Sequence, residues 1–361
     1  MAAFGYGKDG IVFCADGLLR FADAASQSCV VLCDRPNCSH NAVWGEIDDQ
    51  TCNAAIPADA WFPAIYHDKL YFVYSDRVNE YRVFESDKSG SNRRELARLD
   101  NVQAVCNGIY VKNYLICAYK NIYDLETEDF DAVELERPVS GVIIINLKNG
   151  KVIRVLEKQD YWAEVFKLHY DKNKIYYSYV YLDDKIDDDE YNPASPEAFN
   201  YIRQHMITSI WCYDIKTGED SCVYSGRYYN ISDFGGHYAY LIEGAYDTTQ
   251  IYELNLLTGE KELLVGEPNI AVCLADKDRL NYTIINGNET TYKYYDLKKK
   301  EAKLVGKRNS AISPTAVVED KVYVTFYDKN GEYCEGYITK DDYYNGNFDR
   351  VVPLIYPNSY Y

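Results

Sequence analysis

No run of apolar residues in the sequence approaches the ~20 needed to cross a bilayer as a helix, so nothing in it reads as a transmembrane segment. Positive charge is scarce. Thirty-eight Lys and Arg face 56 Asp and Glu, a net charge of −18, and such a surface repels phosphate backbones and anionic lipid. Nucleic acid is therefore excluded as a partner class. Familiar catalytic signatures are missing as well: no Ser sits in a Gly-x-Ser-x-Gly turn, there is no P-loop, and no Gly-x-Gly-x-x-Gly run follows a strand. Met1-Ala2-Ala3-Phe4 shows neither a charged n-region nor an apolar h-region, so an export signal, if the protein uses one, is expected to be missing from this sequence. Long polar tracts are absent, and with 47% hydrophobic residues and 38 tyrosines the 361-residue chain can bury a large core.

What is present is a repeat. Ile251, Tyr252, Leu254 and Leu256 alternate as in a strand, Thr258-Gly259-Glu260 reads as a tight turn, and Leu263-Leu264-Val265 as the returning strand. The same hairpin recurs at Trp211–Tyr224 and Tyr294–Val305. Turn-starting residues fall at Asp23, Asp87, Asn146, Asp214, Asn255, Asp296 and Thr339. The last three steps match the ~40 to 50 residues of a four-stranded propeller blade, and the longer ones suit the same unit carrying insertions. The fold class is accordingly all-β: a single-domain β-propeller, 1–361, of seven four-stranded blades at about 2–33, 60–99, 102–156, 162–226, 228–265, 268–305 and 310–355, with one short helix in a loop insertion. Six or eight blades are the competing counts. The first blade is short of a leading strand, which either Ala2–Tyr6 or the tail Tyr356–Tyr361 must supply.

Within each unit the strands are taken as A to D in chain order. The A-to-B and C-to-D turns read as minimal. Long segments fall in the D-to-A connection Asp34–Ala58, the third blade's B-to-C loop around Asn121–Ser140 and the fourth blade's B-to-C loop Leu182–Met206. All three belong to one face of a propeller, the expected binding face. Two are acidic, with seven carboxylates from Asp124 to Glu136 and six from Asp183 to Glu190. Their spacing fits no EF-hand, and a solvated acidic face is the simpler account. Ser195-Pro196 starts the expected helix, running to about His205. The aromatic residues Trp44, Tyr123 and Tyr191 are the candidate ligand contacts, each also able to pack its own loop.

Chemistry concentrates at Cys33, Cys38, His40 and Cys52, spaced C-x4-C-x-H-x11-C across the first D-to-A connection. Three thiols and one imidazole make a complete tetrahedral set for structural zinc. A disulfide such as Cys38 with Cys52 competes, with free thiols third. Even as a zinc site, four protein ligands leave no open position for substrate. Cys14, Cys106, Cys117, Cys212, Cys222, Cys273 and Cys334 sit singly in strand-like segments and read as core. So many unpaired thiols favour a reducing compartment or an organism living without oxygen. The scattered His67, His169, His205 and His237 read as structural or exposed.

At its B strands and the stretch Asp87-Lys88-Ser89-Gly90-Ser91-Asn92-Arg93-Arg94-Glu95-Leu96 the chain resembles the YWTD-type propellers of low-density-lipoprotein receptors. At Leu32-Cys33-Asp34-Arg35-Pro36-Asn37-Cys38-Ser39-His40-Asn41 and Thr51-Cys52-Asn53-Ala54 it is similar to uncharacterised propeller proteins of anaerobic gut bacteria, often surface lipoproteins. That second resemblance implies an extracellular or cell-surface-anchored protein. The functional expectation is a non-enzymatic binding or scaffold module recognising a glycan, peptide or partner protein on the long-loop face. The rival is a hydrolase or lyase acting on a glycan with carboxylates at the propeller channel mouth.

Overall fold

The structure, a computed structural model, describes residues 4–40, 52–56, 60–77, 80–123, 134–184, 201–202, 204–227, 229–244, 249–309 and 311–355. It contains seven four-stranded antiparallel sheets, each built from consecutive strands, at 5–31, 61–100, 104–159, 161–227, 229–266, 270–308 and 312–355. The fold is an all-β, seven-blade propeller. By compactness the chain forms two units, Met1–Leu99 with Ala271–Tyr361, and Asp100–Ile270. No helix among the described residues is long and apolar enough to cross a membrane.

The hairpins close for a local chemical reason. Asn255 Oδ1 accepts from the Leu257 amide at 2.9 Å, and the Gly259 amide returns to Asn255 O at 2.8 Å. Asp214 repeats this with Lys216 and Gly218, and Asn146 with Lys148 and Gly150. A short side-chain acceptor that mimics a backbone turn, followed by glycine at positive φ, is what those positions require. Thr339 departs from the pattern. Its hydroxyl accepts from the Asp342 amide at 3.1 Å and caps the helix Lys340–Tyr344, an element the sequence pattern did not suggest. A 3-10 turn, Phe348–Arg350, follows, so the last strand starts at Val352. The C-to-D connection of blade seven is thus long, against the expectation of minimal turns there. It packs Tyr343 and Phe348 against Tyr292 of blade six. Of the helix expected before His205, helical backbone is present at 201–202 and 204–205, and its earlier part lies outside the described residues.

Central strands are covered on both sides. In Lys174–Leu182, Tyr177 and Tyr179 enter the core shared with blade three, while Tyr176 enters the core shared with blade five. Tyrosine suits this position because its ring fills the interblade layer and its hydroxyl reaches a rim acceptor: Tyr177 donates to Asp220 at 2.6 Å and Tyr179 to Asp160 at 2.8 Å.

Gly5–Tyr6 supplies the leading strand of blade one, pairing Gly5 with Val12 and Tyr6 with Ile11. The tail 356–361 lies outside the described residues. The last blade packs directly on the first. The rings of Tyr6 and Tyr323 lie 5.1 Å apart, Tyr323 donates to Gly7 O at 2.6 Å, and Tyr337 donates to Ala24 O at 3.0 Å. Glu335 is buried at this junction, accepting from Tyr6 at 3.3 Å and from Tyr333 at 3.2 Å.

Candidate metal centre

The outer strand of blade one is only Cys29–Val31, and the chain leaves it at Leu32, whose amide still bonds Leu19 O at 3.0 Å. Positive φ at Asn37 and His40 curls the following segment back. The chain is described again from Cys52, which is buried. Ala54 O accepts from the Leu19 amide, and the Ile56 amide donates to Gly17 O, both at 2.9 Å. Two short segments of the same connection, separated by residues 41–51, are thereby laid along the same strand of blade one.

Their meeting point collects Cys33, Cys38, His40 and Cys52, with one ligand atom from each lying within 4.8 Å of the others. The Cys52 Sγ to His40 Nδ1 separation is 3.6 Å. A tetrahedral ion with Zn–S near 2.3 Å and Zn–N near 2.05 Å has an S–N edge of about 3.6 Å, so this edge fits. All eleven cysteines are free thiols in the structure. Burial pushes the Cys52 thiol up to about 11. At Cys33 burial acts in the same direction, but backbone amides of Arg35 and Asn53 and the neighbouring thiols outweigh it, and its pKa is lowered. One acidified thiol beside a deeply buried one is a donor set that a cation would complete. The group could hold a metal ion.

Around the cluster lies a polar lattice that the sequence did not reveal. Asp34 accepts from Asn53 Nδ2 at 2.6 Å and from Ser89 Oγ at 2.7 Å, and Arg35 Nε donates to Asn53 Oδ1 at 2.9 Å. Arg93 donates to Asn53 O at 2.6 Å and to Ala55 O at 2.7 Å, with its guanidinium 5.1 Å from the Phe72 ring. Gly90, at φ +77°, leaves room where a Cβ would stand 2.3 Å from Asn53 O. Ser89, Gly90 and Arg93 belong to the C-to-D turn of blade two. The described part of the first long connection is therefore seated on a turn of the next blade. The twist of the sheets, which swings outer strands away from the strand direction of the inner ones, accounts for this. The two sequence stretches that carried the separate family resemblances are the two sides of this contact.

Among the described residues this is the one Cys/His/Asp/Glu group with metal-ligand geometry. The proposed aromatic contacts are not brought together: Trp44 and Tyr191 lie outside the described residues, and Tyr123 is placed only by its backbone, opposite Glu134. Of the histidines, His169 bonds Gly236 O at 2.6 Å and stacks 5.3 Å from Phe234, and burial lowers its pKa. His205 joins Arg227 in clasping Asp183, at 2.9 and 2.6 Å, which ties the two ends of the fourth blade's acidic insertion to its outer strand. The third blade's insertion leaves from Tyr123 and returns at Glu134. Both insertions therefore depart from the same B-to-C end of adjacent blades.

No protein-family model matches the chain, and no curated protein matches it in sequence. Solved structures are similar in fold. The tricorn protease superposes over 98% of this chain and 34% of its own, with TM-score 0.62 and 10% identity. The acylaminoacyl peptidase of Pyrococcus horikoshii superposes over 99% of this chain and 53% of its own, with TM-score 0.59 and 13% identity. Oligogalacturonate lyase in complex with manganese superposes over 91% of this chain and 85% of its own, with TM-score 0.51 and 12% identity. The chain spans about a third to a half of the two peptidases. At these identities the likeness concerns the propeller fold.

Proposed function

We propose that the protein is a non-enzymatic binding or scaffold module, exported and displayed at a cell surface, whose first interblade connection is fastened by one zinc ion. The observation that carries this reading is the Cys33, Cys38, His40 and Cys52 group itself: four protein donors around one point leave no coordination position for a substrate. Zinc there would clasp the two described segments of the first D-to-A connection to each other where they are seated on the turn of blade two, a structural task. Recognition is assigned to the B-to-C end of blades three and four, from which both insertions depart and where the ends of the fourth blade's insertion are clasped to its outer strand.

The competing reading, a glycan hydrolase or lyase, draws on the fold shared with oligogalacturonate lyase. Among the described residues two carboxylic acids have raised pKa values, Glu335 to about 7 and Asp220 upward from its ordinary value, both by burial. Each faces tyrosine hydroxyls, Tyr6 and Tyr333 for Glu335 and Tyr177 for Asp220. Among the described residues neither is hydrogen-bonded to a second carboxyl group.

Metal content and thiol count, on protein purified without oxygen or chelator, test the proposal. The expected result is about one zinc per chain, lost in Cys38→Ser. No metal, with two fewer free thiols than the eleven in the sequence, would replace the zinc with a disulfide. Turnover of any member of a glycan and peptide panel would overturn the non-enzymatic reading.

A further inference from the structure

One inner strand of blade four exposes two large aromatic side chains. In the inner strand Tyr161–Asp171, Ala163 and Val165 are buried with Ile116, Ala118, Val142 and Ile144 of blade three. Between and beside them, Trp162 is 46% exposed, Phe166 is 40% exposed and Glu164 is half-buried. The strand carries two bulges, between Tyr161 and Glu164 and between Val165 and Lys167. Trp162 occupies the first at φ +51°, a backbone region that bulky side chains adopt only under constraint.

That constraint is visible. Ser140 Oγ donates to Ala163 O at 2.8 Å, Asn107 Nδ2 donates to Phe166 O at 2.8 Å, and the Lys167 amide donates to Ser178 Oγ at 2.9 Å. Blade two has the same bulge, with Phe62 at φ +50°, but there the ring is half-buried. The bulge therefore belongs to the repeat, whereas the exposed indole belongs to blade four. The Glu164 side chain, which lies near the Cys106 thiol, forms no hydrogen bond or ion pair with the described residues. A carboxylate with no counter-ion among the described residues, carried at alternate positions of a pinned strand with two exposed aromatic residues, is chemistry suited to an organic cation: ring faces attract it and the carboxylate neutralises it.

The surroundings select the bearer of that cation. Tyr161 lies opposite Leu182, one residue before the insertion that carries six carboxylates from Asp183 to Glu190. It is held by Arg137, at 3.0 Å from its hydroxyl, which follows the seven carboxylates from Asp124 to Glu136. Both insertions are thus rooted beside the exposed rings. We infer that Trp162, Glu164 and Phe166 form a docking site for a basic peptide segment, a lysine or arginine side chain lying over Trp162 against Glu164. This rests on the assignment of recognition to the B-to-C end and names its ligand class. Polyanionic glycans such as oligogalacturonate would be repelled by the same carboxylates.

Fluorescence anisotropy with a short labelled peptide of alternating lysine and serine, set beside a glutamate–serine peptide, a neutral cello-oligosaccharide and oligogalacturonate, tests the site on the full chain. Trp162→Asn is the informative variant, because asparagine accepts positive φ and keeps the fold. Its thermal midpoint is expected to hold or rise while affinity for the basic peptide falls at least about tenfold. Glu164→Gln should lose about fivefold and flatten the salt dependence. Basic-peptide binding that both variants retain would overturn this site. If that binding is instead lost in Asp187→Asn/Asp188→Asn/Asp189→Asn, recognition at the B-to-C end stands without it. Trp162-dependent binding of either oligosaccharide in place of the basic peptide would overturn the ligand class. No binding of any probe would overturn both assignments.

Discussion

Replacing Glu335 by glutamine should make the protein more stable at alkaline pH and leave it unchanged in acid. Burial at the junction of the last and first blades raises this carboxyl from 4.5 to about 7, despite the hydroxyls of Tyr333 and Tyr6 that favour its charge. The folded state therefore prefers the protonated form. Below pH 4.5 both folded and unfolded chains carry the proton and no penalty applies. As pH rises from 4.5 to 7 the unfolded chain ionises first, and stability is lost progressively. Above about 7 the folded state must hold a buried carboxylate. A shift from 4.5 to about 7 corresponds to at most about 3 kcal/mol. Glutamine keeps the shape, and its Oε1 can accept from one tyrosine hydroxyl while its Nε2 donates to the other, without ionising, so Glu335→Gln should exceed wild type by up to about 3 kcal/mol at pH 8 and match it at pH 4. Urea unfolding across that range, followed by tryptophan fluorescence, reads this as a gap in midpoint that opens with pH. Parallel profiles for the two proteins would refute the burial argument.

The repeat was legible because its information is local. A short acceptor at Asp214, Asn255 or Asp296 followed by a turn, and strands of alternating aromatics, appear once per blade and need no knowledge of the neighbours. Thr339 shows the limit of that reasoning. It occupies the position of a turn starter, but threonine followed by Asp341 and Asp342 also caps a helix, and the buried side chains of Tyr343 and Phe348 decide for the helix. The four metal-ligand candidates were legible from residue type and spacing. Their seat was not, because Asp34, Asn53, Ser89 and Arg93 are individually ordinary polar residues, and only the sheet twist brings the second blade's turn to the first blade's end. The exposure of Trp162 is not legible in the sequence for a related reason. Its exposure comes from a bulge, and a bulge inverts the inside–outside alternation on which a sequence pattern depends.

Thr339→Ala should cost about 1 kcal/mol by removing the cap from Lys340–Tyr344, and a fall in thermal midpoint that Thr339→Ser restores would check it. Gly90→Ala should act on the candidate metal centre from the other side of the contact. The first blade is the smallest sheet, with a two-residue inner strand and a three-residue outer one, so it has few ladder hydrogen bonds of its own. It is fastened on one side by Tyr323 and Tyr337 of the last blade and on the other by the cluster seated on blade two. Gly90 is where that second fastening is tightest: its φ of +77° strains any side chain, and a Cβ would stand 2.3 Å from Asn53 O and 2.8 Å from Leu32 O. Backbone atoms cannot yield as a flexible side chain would, so the loss should exceed about 1 kcal/mol. Because Asn53 follows Cys52 and Leu32 precedes Cys33, displacement of these carbonyls should also weaken metal retention. Competition with a chromophoric zinc chelator measures that directly. A Gly90→Ala protein that is less stable but retains metal as wild type does would show that the turn supports the blade without shaping the cluster.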